Sequence, residues 1–574
     1  MNAAHVPGAP VAIVGGGPVG LMLALLLDRH GVASVVFDSA SGTRLHPKGS
    51  THNTRTMEHY RRVGIADAVR KLGLPADHPR DVAYFTRLLD GFELARFALP
   101  SEQQRMRMAQ DAPADDQAPE PLLRANQMYV DRHMLEHARG RPNITLRFGW
   151  RVTGFEQDDS GVWVTAVDSG GSGATERWRA QYMAGCDGGH SFVRRELGIG
   201  YLGAKEQGAG FLTGRMFSTH VRIPALQRDI PADQRAWMYN MMSPGLRMLL
   251  ISLNGADEFL LMSKARSDDE QPDDLDIVKR IRQGIGAEVE VEVLAHAVWH
   301  GGTALVAERF SQGRIHLAGD AIHLFSPTGG FGMNTGIDGA ANLAWKLAAA
   351  VQGWAGESLL DSYETERRPI AHRNTAAARQ LTERVATLAI PDEIEAAGDQ
   401  GEQARAQLGT VLQEFRGQFT SLGVELGARY DGSPIVWPDG EPPADDPLDY
   451  HPSDVPGGRL PHLWLDGEGA QRRSLFDLLH HGFTLLRIGA DPAPAERLAA
   501  AADTRGIPLR VLDIASDAAS TLYKKRLILV RPDQHIAWRG DQVPADAHAV
   551  LDRAVGRGVG AQARTGRPDV IQLM

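Results

Sequence analysis

The sequence predicts an α/β chain in three parts: a Rossmann-like dinucleotide-binding layer, a β-rich layer inserted into it, and a small α/β domain at its C-terminal end. Three observations predict this. A β-branched run, a glycine turn and an acid-ended second strand lie between Val11 and Asp38; short strand-like segments, several alternating in polarity, recur from Phe211 to Met262; and after Pro456 strand-like runs alternate with helical segments.

The opening unit reads Val11-Ala12-Ile13-Val14, the turn Gly15-Gly16-Gly17-Pro18-Val19-Gly20, a helical stretch from Leu21 to His30, and Val35-Val36-Phe37-Asp38. Gly15 permits the tight turn, Gly17 lets backbone approach a pyrophosphate, and Gly20 lets helix and strand pack closely, with the helix N-terminus facing the anion. Asp38 is placed to accept hydrogen bonds from a ribose hydroxyl. The competing explanation is an ordinary strand–helix turn with incidental glycines.

From Ser101 to Glu120 the chain turns polar and reads as a mobile surface insertion. Strands follow at Ile144–Phe148, Val162–Val167, Phe211–Ile223, Trp237–Met242, Met248–Leu253 and Phe259–Met262, and helices at Leu343–Val351 and Ile370–Leu388. Seven prolines between Pro434 and Pro456 exclude regular structure there, so this stretch links or wraps domains. The last strands are Phe483–Leu486, Leu509–Leu512 and Leu527–Val530. The expected domains are 1–390, with a substrate part at about 80–125 and 200–300, a helical and proline-rich linker at 391–455, and a C-terminal domain at 456–574.

Composition narrows the partners. With 574 residues, 43% hydrophobic and 23% charged, the chain can bury a large core, and a formal charge of −10 argues against nucleic acid. The single cysteine, Cys186, excludes an internal disulfide and a cysteine-rich metal site, and no metal is expected. The charge-free run Ala9–Leu27 is no membrane span, because Gly15, Gly16, Gly17 and Pro18 interrupt it and no basic segment precedes it. The expected location is the cytoplasm.

Two further motifs decide the cofactor. Residues 184–195 read Ala-Gly-Cys-Asp-Gly-Gly-His-Ser-Phe-Val-Arg-Arg, and residues 314–346 read RIHLAGDAIHLFSPTGGFGMNTGIDGAANLAWK. With the opening glycines, the sequence resembles the single-component FAD-dependent aromatic hydroxylases, the phenol, chlorophenol, hydroxyphenylpropionate and polyketide hydroxylase group, over residues 10 to about 390. The segment Pro456–His462 with Ser474–Asp477 is similar to the thioredoxin-like C-terminal domain of some members. Physical chemistry runs alongside. Asp320 ends a strand, where its carboxylate can bind ribityl hydroxyls. The loop Ser326–Asn334 enters a helix whose free N–H groups and dipole suit the negative charge of a reduced flavin; there Gly330, Gly332, Met333 and Asn334 are the expected contacts.

The resemblance implies further FAD contacts at Lys48, standing where relatives carry an arginine, and at Gln127, with Asp187 supporting the pyrophosphate region and NADH or NADPH use. The alternative for Asp187 is a helix cap, and for Gln127 a helix-start residue. Relatives usually have Asp-Ala where this chain has Asp338-Gly339. The implied reaction is hydroxylation of a phenolic substrate by O₂ through a flavin C4a-hydroperoxide, with Pro327 beside the reacting face. His52 is the candidate proton-handling residue, ahead of His220, Tyr239 and His323; its alternative is a surface histidine at a helix start. Met216, Phe217, Trp237, Met238, Tyr239 and Met242 are read as pocket floor or interdomain core, and Arg215 as a holder of carboxylate or phenolate or as a solvated strand residue. A flavin oxidase, dehydrogenase or halogenase on the same scaffold, or a non-catalytic FAD-binding protein, stays open. With no Cys-X-X-Cys, the tail cannot do dithiol chemistry; a structural role or a homodimer contact is expected.

Overall fold

The computed structural model describes residues 7–205, 210–267, 269–271, 276–465, 472–489, 491 and 493–558. Its nucleotide layer is a six-stranded sheet in the order Ser311–Gln312, Ile315–Leu317, Tyr182–Gly185, Val11–Val14, Ser34–Asp38, Ile144–Phe148, parallel except for the first pair. Strands buried on both faces read as unbroken apolar runs, which is why Val11–Val14 is fully buried and sits at the centre. Helix Pro18–Arg29 is buried along nearly its whole length against the sheet and the long helix Phe331–Gln352.

The inserted layer is a seven-stranded sheet, ordered Glu292–Gly301, Gly214–Arg222, Glu258–Lys264, Leu246–Ser252, Met238–Ser243, Val82–Phe85, Glu93–Phe97. Strand alternation sorts its side chains. Phe217, Tyr239 and Met241 pack with helix Ile277–Ile285 on one face, while Met216, Trp237 and Met242 pack on the other with Phe97, Leu249 and Phe415. A single pocket floor made of Met216, Phe217, Trp237 and Tyr239 is therefore excluded: the successive residues Met216 and Phe217 point to opposite faces, and Trp237, which precedes strand Met238–Ser243, packs on the face opposite Tyr239.

Two other expectations change. Residues 101–120 are no loose insertion: Ser101 caps helix Glu102–Asp111 in a reciprocal box with Gln104, and the following segment binds the tail, where Trp464 N–H donates to the Ala114 carbonyl at 2.7 Å and His462 Nδ1 lies 2.6 Å from the Asp116 carbonyl. The two late helices are longer than their alanine-rich parts, Phe331–Gln352 and Ser362–Ala386. Weak helix formers at their starts are overridden by burial on the core.

The C-terminal part holds a four-stranded sheet, ordered Leu509–Ile514, Phe483–Ile488, Leu527–Val530, Ile536–Gly540; the first pair is parallel and the others antiparallel. It meets the nucleotide layer through Trp345 and Trp354, whose stacked rings receive the edge of Phe483. Beside this apolar seam lies an ionic one. Glu366 accepts from Arg531, Lys346, Asn342 and Ser433 at 2.6–2.9 Å. Asp338 meets Arg55, His59 and Arg367 at 2.6–3.1 Å, and Glu58 joins Arg55 to Arg459. The stretch 434–456 forms no helix or strand and runs along the tail, Trp437 N–H donating to the Ala537 carbonyl at 2.9 Å.

Candidate functional site

The glycine turn divides its labour as its spacing implies. Gly15 has φ +108°, and a Cβ there would sit 2.3 Å from the Cys186 carbonyl oxygen. At Gly20 a Cβ would lie 2.0 Å from the Gly15 oxygen, so helix and turn touch directly. At Gly17 a Cβ would meet no atom within 4 Å. The space before Gly17 is a cradle free of protein, and helix Pro18–Arg29 starts there without a side-chain cap. Asp38 closes the turn: its Oδ2 accepts Gly16 N–H at 2.8 Å and its Oδ1 Ala40 N–H at 2.8 Å.

Asp320 follows strand Ile315–Leu317 in the turn Gly319–Ala321. Its side chain remains accessible although protein surrounds it, and that burial pushes its carboxyl up against the downward pull of Lys48 and Arg44. Its backbone carbonyl accepts Tyr201 Oη at 2.6 Å, and Arg194 stacks on that ring at 3.8 Å. Lys48 is lowered by burial and raised by Asp320 and Asp131. Gln127 opens helix Gln127–Arg139 and donates to Asp131 Oδ2 at 3.0 Å. Burial pushes Asp131 up to about 7. Asp320, Lys48, Gln127 and Asp131 thus form one electrostatic group.

The glycine loop sits opposite. Gly329 and Gly330 have φ of +83° and +68°, and helix Phe331–Gln352 also begins without a side-chain cap. Asn334 fastens this loop: its Oδ1 accepts Asn53 N–H at 3.0 Å and its Nδ2 donates to the Thr51 and Gly330 carbonyls. Its side chain is spent on backbone, so any ligand contact there falls to the loop's own N–H groups. Gly332 and Met333 are half-buried, and Pro327 is exposed at the head of the turn Thr328–Gly330.

Several sequence expectations are corrected. His52 is not a surface residue: it is fully buried, Nδ1 lies 3.1 Å from Tyr60 Oη and Nε2 3.1 Å from the Ala125 carbonyl. Burial pushes its pKa down to about 4, so it is a neutral ring with both nitrogens committed. Asp187 takes its capping alternative, its carboxylate accepting Ser191 Oγ at 2.5 Å and Val193 N–H at 3.0 Å. Tyr239 is fully buried on the face away from the loop, accepting Ala236 N–H at 2.8 Å. Arg215 binds the Glu270 carbonyl at 3.1 Å and lies over Phe217, on that same outer face. His220 pairs with Glu258 at 3.1 Å, and His323, which burial lowers to about 3, packs on Phe325. Trp237 alone of the three substrate candidates faces inward, 4.3 Å beneath the Arg124 guanidinium.

Sequence reasoning missed Arg124, Asp131 and the role of Arg194. Asp131 lies four residues past Gln127 on one helix face, the available local signal. Arg124 has none, because its partners come from distant segments.

The parallel sheet, the open glycine cradle and the acid at a strand end define a dinucleotide-binding flavoprotein fold. Residues 8–378 match the family model described as "FAD binding domain", and residues 453–561 the model described as "Aromatic-ring hydroxylase, C-terminal". The chain belongs to the FAD-dependent aromatic-ring hydroxylases. It is 33% identical to the FAD-dependent monooxygenase apdD of Emericella nidulans, over 96% of this chain and 90% of the relative. Among solved structures, it is similar to the rebeccamycin biosynthetic enzyme RebC with reduced flavin (35% identity, TM-score 0.85, 96% of this chain and 99% of that one). It is also similar to the flavin-dependent monooxygenase PieE in complex with FAD and substrate (29%, TM-score 0.83, 96% and 100%). The chain is accordingly an FAD-dependent monooxygenase. The residues present suit FAD: the open space at Gly17, two helix starts without side-chain caps and the Asp320 carboxylate, which has no hydrogen-bond partner among the described residues, supply N–H donors for a diphosphate and an acceptor for hydroxyls.

Proposed function

We propose that the chain hydroxylates a phenolic ring with O₂ at the expense of NADH or NADPH, the ring lying between the glycine loop 328–334 and the inner face of the seven-stranded sheet. One observation carries this reading: Thr51 joins the two surfaces, its carbonyl held by Asn334 of the loop and its hydroxyl hydrogen-bonded to Arg124, which stacks on Trp237 of the sheet.

Bound FAD supplies the redox chemistry, accepting a hydride equivalent from NAD(P)H and activating O₂. The chain's own residues bind and orient. Gly15, Gly17 and Gly20 admit the diphosphate, Asp38 stands by the ribose, Asp320 accepts the ribityl hydroxyls, and Lys48 and Gln127 line the approach. Gly330, Gly332 and Met333 present backbone to the ring system, Asn334 fixes their loop, and Pro327 shapes its edge. The apolar inner face, with Met216, Trp237 and Met242, excludes water from the reacting space. The mixed four-stranded tail is read as a thioredoxin-like unit with a structural role, because its contacts support helix Phe331–Gln352 from the end opposite the loop.

Incubation of the FAD-loaded protein with NADH or NADPH, ¹⁸O₂ and a panel of phenols tests the reading. Substrate-stimulated NAD(P)H oxidation with one ¹⁸O atom in the product is expected. NAD(P)H consumption that yields peroxide alone would assign an oxidase, and substrate conversion without O₂ a dehydrogenase; either overturns the proposal.

A further inference from the structure

The fully buried arginines of this chain divide into two kinds. Arg55, Arg367, Arg459 and Arg531 each meet a carboxylate within 3.2 Å. Arg80, 1% exposed, and Arg124, 4% exposed, make no ion pair among the described residues; Arg80 donates to backbone carbonyls, whereas Arg124 meets a hydroxyl and an indole. One Nη of Arg124 donates to Thr51 Oγ1, the guanidinium stacks on Trp237, and its Nε is buried without any hydrogen-bond partner.

Among the described residues no carboxylate forms an ion pair with it. Arg80 and Arg105 lie near it and bind backbone carbonyls, adding positive potential. The nearby acid, Glu425, gives Oε2 to Thr54 N–H, and burial pushes it toward its neutral form. A buried cation held this way is costly until an anion arrives, and burial lowers its pKa to about 9. Its place is specific. Arg124 pairs across the two-residue ladder with Thr51, whose Cβ would lie 3.0 Å from a Cβ at Gly330 of the loop, and its flat face lies on the inner wall of the sheet.

We propose that Arg124 is the anion-binding residue of the substrate pocket and that the phenolic substrate carries a carboxylate. A planar guanidinium offers a carboxylate two parallel donors, and its stacking on Trp237 fixes the plane in which the ring must lie. The inference rests on the hydroxylase reading. The two can fail separately: a protein that prefers acids yet inserts no oxygen sinks that reading, and one that hydroxylates neutral rings without acid preference sinks this one.

Binding to the oxidised holoenzyme, followed through the flavin absorbance, tests it with 4-hydroxybenzoate, salicylate and 1-hydroxy-2-naphthoate, each against its methyl ester. The wild type should bind at least one acid about tenfold or more tightly than its ester. Arg124→Gln should bring acid and ester to within about twofold, the acid losing about fivefold or more affinity beyond any change in the ester. A wild type without acid preference, a preference that survives Arg124→Gln, or equal weakening of acid and ester would each overturn the proposal. Should Arg124→Gln purify without FAD, Arg124→Lys replaces it. There the preference should fall several-fold with loss of the fork, and an unchanged preference overturns the assignment.

Discussion

Two buried regions of this molecule treat charge in opposite ways. In the seam beneath the tail, burial would raise the carboxyls of Glu58, Asp338, Glu366 and Asp533, yet their arginine and lysine partners hold each below its usual range. In the cleft, burial wins: Asp320, Asp131 and Glu425 are all pushed up, and Arg124 is pushed down. The seam pairs its charges with one another, whereas in the second region Asp131 and Glu425 accept from uncharged donors and Arg124 meets Thr51 and Trp237. Perturbed groups that the protein does not pair mark where binding occurs.

The comparison breaks most readily at the seam. Glu366→Leu strands Lys346 in the interior, leaves Arg531 with Asp533 as its remaining carboxylate, and should cost about 3–5 kcal/mol, read as a lower thermal unfolding midpoint of the holoenzyme. A midpoint within a degree of wild type would mean that the seam is no better paired than the cleft.

The two regions should also respond oppositely to pH. A carboxyl whose folded pKa is lowered contributes stability that is fully present above its unfolded pKa and is lost as pH falls toward the folded value; this is the seam. A carboxyl whose folded pKa is raised binds its proton more tightly when folded, so stability is lost as pH rises from the unfolded value, near 4, to the folded one, about 7 for Asp131. The FAD-stripped protein should lose on the order of 3 kcal/mol across that window from this residue, and Asp131→Asn should flatten the loss. Urea titrations at several pH values check it; an unchanged slope in the variant would remove Asp131 from the comparison.

A smaller effect sharpens the picture of the cradle. Gly17→Ala adds a methyl group that meets no protein atom, so the apoprotein should keep its stability while FAD affinity drops about tenfold or more, roughly 1.4 kcal/mol. Equal FAD affinity would show that the diphosphate lies elsewhere.

What the sequence revealed follows the range of the forces involved. The turn at Gly15–Gly20, strand Leu527–Val530 and the position of Asp320 are written locally, in spacing and β-branched runs, and the structure places the glycines as that spacing requires. Strand alternation was equally available, and applying it to residues 214–243 would have separated Met216 from Phe217 and Tyr239 from Met242. His52 looked like a reactive histidine because its two satisfying groups, Tyr60 and the Ala125 carbonyl, come together only on folding. The ionic seam was invisible for the same reason: Arg55 binds Gln534 across 479 positions. No local pattern encodes such a pairing.

Trp345 and Lys346 stand on the same helix that leaves the glycine loop, and the tail covers both. Anyone trimming this enzyme to a minimal version by stopping near Pro434 would uncover two indoles and strip Glu366 and Glu58 of Arg531 and Arg459. The tail is better regarded as a buttress than as an appendage, and chimeras that borrow the ring-binding sheet of another hydroxylase should keep it together with its native helix.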